Sequence, residues 1–214
     1  MSGTLRNLTP GAVLVLFLAA TGSAFAQQVK DRQLIPALDF ANIQMPVEIL
    51  SVKLNGRDIQ PGEKLRAGED WLRGLSFTLK NVSDKPIAFV RITLQFSYPE
   101  DSARPGRIVG YFLSYGLDIT SERPSHWKNA PGAIQPGKAV NLVLSNEKYP
   151  VFLNILAQGG MTPDVSTAKY YVASVAFENE PDIVWRGGNL MRRDPNDPNK
   201  FNVVERYTVP SRRE

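Results

Sequence analysis

Residues 75–98 read LSFTLKNVSDKPIAFVRITLQFSY, and the alternation in this stretch decides the fold. Leu75, Phe77 and Leu79 alternate with Ser76, Thr78 and Lys80, the period of two that gives a strand one buried face and one wet face. Ala88, Val90, Ile92, Leu94, Phe96 and Tyr98 then share one face of a longer strand, with Arg91, Thr93, Gln95 and Ser97 on the other. Between the two, Asn81 to Pro86 carries turn chemistry. Asn and Ser bond their own backbone and Pro fixes φ, so the chain reverses there.

The flanking sequence continues the pattern. Val47 to Leu54 reads as an earlier strand, with Leu50, Val52 and Leu54 on one face and the turn signal Asn55-Gly56 at its end. Ile108 to Tyr115 places Val109, Tyr111, Leu113 and Tyr115 together, and Ala139 to Leu144 alternates at Val140, Leu142 and Leu144. Tyr170 to Phe177 and Ile183 to Trp185 are expected to form a hairpin. One segment, Ser145 to Gly160, is expected to be helical. Tyr149, Phe152, Ile155 and Leu156 recur at helical spacing, Ser145 or Asn146 is available as a cap, Pro150 suits a first turn, and Gly159-Gly160 suits an end. Strands separated by turn signals, with one short helix, predict a mainly β chain. The expected fold is an immunoglobulin-like antiparallel β-sandwich, with an open barrel as the competitor.

The first residues are read as an address. Arg6 precedes the apolar run Ala12 to Ala20, and Ala24-Phe25-Ala26 is a signal-cleavage pattern, so residues 1–26 are expected to be a signal peptide and Gln27 the mature start. Export to the periplasm or the exterior follows. No later run approaches the roughly 20 apolar residues of a membrane span, so no transmembrane segment is expected in the mature chain. The absence of cysteine excludes disulfides, Cys-ligated zinc and thiol catalysis. Residues 27–46, with Leu34, Ile35, Leu38, Phe40 and Ile43 in no clean period, are expected to be an N-terminal extension. The sandwich is expected over 47–188 and a polar tail over 189–214. The 25 Lys and Arg against 21 Asp and Glu give a net charge of +4, and Arg6 leaves with the signal. Both signs are interspersed without a basic stripe, so nucleic acid is not an expected partner.

Lys80-Asn81-Val82-Ser83-Asp84-Lys85-Pro86-Ile87, flanked by alternating strands, resembles the N-x-S/G-x-K-P turn of exported bacterial immunoglobulin-like domains, FxLyD-type domains among them. The wider pattern, with Trp185-Arg186-Gly187-Gly188 and residues 193–199 (RDPNDPN), resembles uncharacterised secreted bacterial proteins. The resemblance implies a fold and a location. It brings no assigned activity.

His126, the only histidine, lacks the partners of a zinc set or a nucleophile elbow and is read as a loop residue. Glu100, Asp101, Asp118 and Glu122 would serve a carboxylate-dependent hydrolase only if two faced each other across a cleft. Asp194, Asn196, Asp197 and Asn199 group oxygen ligands as calcium prefers, but the sequence Asp-Pro-Asn is equally a turn. Trp71, Trp127 and Trp185, with Tyr111 and Tyr115, would make a sugar-binding platform if exposed and large core side chains if not. Arg186, Arg192, Arg193, Arg206, Arg212 and Arg213 give the C-terminal region a basic bias. Asn81-Val82-Ser83 matches a glycosylation sequon that the turn already explains. The expectation is an exported, non-catalytic interaction or envelope-associated module, without metal or cofactor, whose partner is a protein or an envelope glycan. Binding would use a sheet face, a strand edge or the Gly116 to Gly137 loop. Carbohydrate binding through Trp71, Trp127 and Trp185 is the alternative, and a hydrolase the further one.

Overall fold

The computed structural model describes residues 29–37, 43–98, 106–118, 131–162 and 164–209. In chain order the strands are β1 (Lys30–Pro36), β2 (Val47–Leu54), β3 (Arg57–Asp58), β4 (Lys64–Ala67), β5 (Ser76–Asn81), β6 (Ile87–Ser97), β7 (Ile108–Gly116) and β8 (Ala139–Val143). The helix α1 (Tyr149–Gln158) follows, then β9 (Thr167–Phe177), β10 (Ile183–Arg186), β11 (Asn189–Asp194) and β12 (Asp197–Arg206). Among the described residues the chain is mainly β with one short helix, and its strands form two sheets. The smaller sheet has the order β3-β2-β5-β8, antiparallel throughout. In the larger one, β7, β6 and β9 lie side by side and antiparallel. The other edge of β9 is divided. Its first residues pair in parallel with β1, which carries β4, and its later ones pair with β10, which leads through β11 to β12.

The core lies between the sheets. Leu75, Phe77 and Leu79 of the first organising strand and Val90, Ile92, Leu94 and Phe96 of the second are all fully buried, as their alternation predicts. Phe77 of the smaller sheet meets Tyr170 of the larger one at 5.2 Å between ring centroids. The helix contributes Tyr149, Phe152 and Leu156 to this core. Phe152 packs against Phe96 at 5.5 Å and Tyr111 at 5.2 Å. Pro150 sits in the first turn, but the cap is Lys148 rather than Ser145 or Asn146, and no side chain caps it. At the other end Met161 N–H donates to Leu156 O at 2.9 Å and Gly160 N–H to Ala157 O at 2.8 Å. Gly160 takes φ +80°, which completes a Schellman ending.

The two predicted turns form for the expected reasons. Asn55 and Gly56 both have positive φ, +48° and +81°, and link β2 to β3 as a two-residue hairpin. At the β5–β6 turn, Asn81 is completely buried. Its Nδ2 donates to the carbonyls of Lys85 and Ile134, both at 2.8 Å. Its Oδ1 accepts from the Ser83 backbone N–H at 2.9 Å and hydroxyl at 2.7 Å. Every donor and acceptor of the amide is thereby used within the protein, which also accounts for the sequon as turn chemistry.

Four expectations need correction. Residues 30–36, read as part of an extension, form β1 inside the larger sheet, because Arg32 and Leu34 face inward while the pairing is made with distant β9. Residues 189–206, read as polar tail, form β11 and β12 as a hairpin extending the same sheet. Leu50 was expected beside Val52 and Leu54, but a register shift between Ile49 and Ser51 turns it outward, 49% exposed. Ala88 was expected on the core face of β6; a shift between Ile87 and Phe89 puts Ile87 there instead.

Phe96→Ala should destabilise the protein by about 3–5 kcal/mol in a urea melt, since it removes a buried ring and leaves a cavity against Phe152. A loss under about 1 kcal/mol would contradict the packing of β6 on α1. Asn81→Ala should cost about 1–3 kcal/mol, because it takes the nearer of two acceptors from the buried Ser83 N–H and one of two donors from each of the Lys85 and Ile134 carbonyls. Unchanged urea stability would show that the turn closes without the amide.

Candidate functional site

The aromatic residues proposed for a platform are used in packing. Trp185 is 0% exposed, and its Nε1 donates to Gln44 O at 3.2 Å. Trp71 is also buried, with Nε1 donating to Val165 O at 2.9 Å, and Tyr111 is buried against Phe152. Tyr115 is half-buried, its hydroxyl donating to Gly132 O at 2.8 Å. The rings of Trp71 and Trp185 therefore present no shared stacking face. Trp127, His126, Glu100, Asp101, Glu122, Arg212 and Arg213 lie outside the described residues. Asp118 is buried and pairs with Arg91 at 3.3 Å.

The Asp194 to Asn199 segment is the connection between β11 and β12. Asp194 Oδ1 accepts from Asn196 N–H at 2.9 Å and Asp197 Oδ1 from Asn199 N–H at 3.0 Å, two Asx turns in succession. Asp194 Oδ2 also accepts from Asn202 Nδ2 at 3.0 Å. The Asn196 backbone and Asn202 side-chain bonds hold the Asp194 carboxyl below its ordinary pKa. These oxygens are engaged in shaping the hairpin. Among the described residues, no group of three or more His, Cys, Asp or Glu is arranged to hold a metal.

Within this hairpin β11 is half-buried at all but one residue, while β12 is the most exposed of the longer described strands. β12 has ten residues, and all but the half-buried Phe201 are exposed. Val203 is 61% and Val204 53% exposed; Val203 pairs with Met191 and Glu205 with Leu190, which leaves Val204 as the extra residue of a bulge. Such a strand keeps its pairing through few side-chain contacts. It is braced by Phe201, whose ring lies 4.9 Å from the guanidinium carbons of both Arg186 and Arg193. Arg193 also reaches Asp182 at 3.2 Å and donates to Pro198 O. The basic bias read from the sequence is thus partly structural: Arg186 and Arg193 hold the arm, while Arg192, Lys200 and Arg206 remain on its surface. Among the described strands, none pairs with the outer edge of β12.

Where β12 ends, a cleft of about 190 Å³ opens between it and the β5–β6 turn. Ser83, Asp84 and Lys85 line one side, Glu205, Arg206, Tyr207 and Thr208 the other, with Phe177 and Leu190 between. Tyr207 is buried, and its N–H donates to Gly188 O at 2.9 Å, but its hydroxyl has no hydrogen-bond partner. Burial, with the Asp84 carboxylate nearby, pushes the phenol up to about 12. An unpartnered buried hydroxyl costs about 1–3 kcal/mol, and the hydroxyls of Thr93 and Tyr98 share this condition elsewhere in the interior. Lys85 donates to Glu180 at 2.8 Å and lies 5.6 Å from the Phe177 ring, so the cleft wall is itself ion-paired.

Sequence reasoning missed the ionic cluster formed by Lys30, Arg32 and Asp164. Arg32 is 0% exposed and its guanidinium donates to Val165 O at 2.9 Å, to Ala67 O at 3.4 Å and to Asp164. Lys30 binds the other oxygen of Asp164. One buried cation thus ties β1 to the end of β4 and to the segment entering β9, where Val165 O also receives Trp71. The signal was the alternation Arg32, Leu34 in a short strand, obscured by the charge of its first member.

Compared with known proteins, the chain matches no family model, no curated protein and no solved structure.

Lys30 and then Arg32 hold the Asp164 carboxyl below its ordinary pKa by hydrogen bonding. The native carboxyl therefore binds a proton more weakly than the unfolded one. Its contribution is complete above the unfolded pKa, about 3.9, and is lost as pH falls from there through the native value. Asp164→Asn should lower stability by about 2 kcal/mol at pH 7, the scale of a hydrogen bond to a charged group. The difference between wild type and variant should shrink as pH drops below about 4. Thermal melts from pH 7 to pH 2.5 check this, and a pH-independent difference would contradict the assigned linkage.

Proposed function

We propose that this protein is an exported, non-catalytic interaction module of the cell envelope, and that it binds an extended segment of a protein partner along β12. The observation that carries this reading is the outer edge of β12. Ten residues of strand lie at the end of the larger sheet, with Val203 and Val204 in solvent and no described strand beyond them. Unpaired N–H and C=O groups along such an edge are ready to add a strand, the backbone bonds giving affinity and alternate side chains giving choice of partner. The surface cations Arg192, Lys200 and Arg206, beside acids already engaged in turns, favour a segment that carries acidic side chains. Residues 1–26 supply the export signal on which the location rests. The burial of Trp71 and Trp185 weighs against a sugar-stacking role for those two rings.

The test compares wild type with the double variant Val203→Glu, Val204→Glu, both tagged, crosslinked in the native envelope and analysed by mass spectrometry. Both side chains are exposed, so the melting temperature should not change. A protein partner captured by wild type should fall at least about tenfold with the variant, as expected when like charge is placed at a docking edge. Equal capture by both forms, or recovery of glycan without a protein partner, would overturn the edge-binding reading.

A further inference from the structure

The outer edge of β12 carries a side-chain pattern that complements itself. Because Val203 pairs with Met191 and Glu205 with Leu190, the bulge residue Val204 drops out of the strand's alternation. Lys200, Asn202 and Glu205 then share one face of the strand, and Phe201, Val203 and Arg206 share the other. Along the strand the order is cation, Phe, Asn, Val, anion. A two-fold axis through Asn202 turns that order onto itself antiparallel. It sets Lys200 of each copy opposite Glu205 of the other, and Phe201 of each opposite Val203 of the other. Both charges are accessible within the monomer. The Glu205 carboxylate is exposed and has no ion-pair partner among the described residues, and the exposed Lys200 ammonium reaches Asp194 at 4.0 Å.

We infer that two copies of this chain join their larger sheets edge to edge, through antiparallel β12 strands centred on Asn202. On the reading that this edge takes up a strand, which the dimer presupposes, the strand taken up is the same segment of a second copy. Glu205 of that copy is the acidic side chain that the surface cations favour. Backbone bonds between the two edges supply the pairing, and the two Lys200–Glu205 pairs and two Phe201–Val203 pairs fix its register. The assembly is closed: each copy covers the other's free edge, so no third strand can add there. A neighbouring register, centred on Phe201, would instead set Asp197 opposite Arg206. It is disfavoured, because Asp197 Oδ1 already accepts from Asn199 N–H in the turn and Pro198 would enter the paired run without an N–H to give. Since the paired strands are short and lie at the rim of each molecule, the dimer is weak and depends on concentration.

The test is sedimentation velocity of the exported protein at low ionic strength, where exposed charge pairs are least screened. Wild type should dimerise with a Kd on the order of 10 μM. Lys200→Glu sets carboxylate against carboxylate in both cross-strand pairs, and Glu205→Lys sets ammonium against ammonium, so each variant alone should dimerise at least about tenfold more weakly. An equimolar mixture of the two variants restores opposite charges in both pairs and should associate within about threefold of the wild-type Kd. That recovery also shows that both variants fold. A wild type that is monomeric at about 200 μM, a dimer that neither variant weakens, or a mixture that associates no better than its components would overturn the dimer. If wild type is monomeric yet captures another protein that Val203→Glu, Val204→Glu releases, the edge reading stands and the second copy alone is overturned. Monomeric wild type together with equal capture by both forms overturns both.

Discussion

Asn81 joins three parts of the chain that would otherwise separate. Its amide holds the turn through Lys85 O and Ser83, and it holds the returning segment before β8 through Ile134 O. Its backbone continues the same connection, receiving Gly137 N–H and donating to Lys138 O, both at 2.9 Å. Ile87 and Ile134 bond each other in both directions one step further on. The place where the chain leaves the smaller sheet for the larger one is therefore fixed by a single buried side chain. An amide suits this position because it has donors and acceptors in equal number and no charge to desolvate. With the crossing fixed, β5 and β6 present their apolar faces to each other, and the remaining strands assemble around them.

That crossing was legible in the sequence because all of its determinants are local. Alternation placed Phe77 and Phe96 in the core, and Asn, Ser and Pro marked the turn. The helix was legible for the same reason, from the spacing of Tyr149, Phe152 and Leu156. Elements fixed by distant pairing were harder to read. β1 contains only seven residues, and its inward position is occupied by Arg32, which depends on Asp164 far along the chain for its counter-charge. Composition alone makes such a residue look solvated. β12 was missed for the opposite reason, since a strand exposed on both faces has no apolar alternation to detect. The bulges at Leu50 and Ala88 were invisible as well, because an extra residue changes the phase without changing the pattern on either side.

Candidate-site residues divide in the same way. The tryptophans were readable as either platform or core, and the decision needed tertiary structure: Trp185 lies in phase with a core strand, while Trp71 is held by a carbonyl that Arg32 also uses. The Asp194 to Asn199 loop was readable as either cation site or turn, and the Asx bonds show the carboxylates serving the turn. The cleft at Tyr207 gave no sequence signal. Its two walls are separated by more than a hundred residues, and nothing in the series Glu205-Arg206-Tyr207-Thr208 marks it as different from other polar sequence.

The C-terminal hairpin carries an open edge, a feature that a protein retains at a cost. Long exposed edges invite unwanted pairing, and the bulges in β12 together with its charges are the usual protections against it. Bulges twist the edge so that a flat strand cannot extend it indefinitely, yet they leave short runs of free backbone on either side. Phe201, held between Arg186 and Arg193, stiffens the arm from one face only. The far end is secured by Tyr207 N–H on Gly188 and by Val209 N–H on the Gln44 side chain. Gln44 also receives Trp185, so the end of β12 is anchored to a core residue while its middle is left accessible. Anchored at both ends and open between them, the arm has the geometry of a surface that accepts a strand without being remodelled by it.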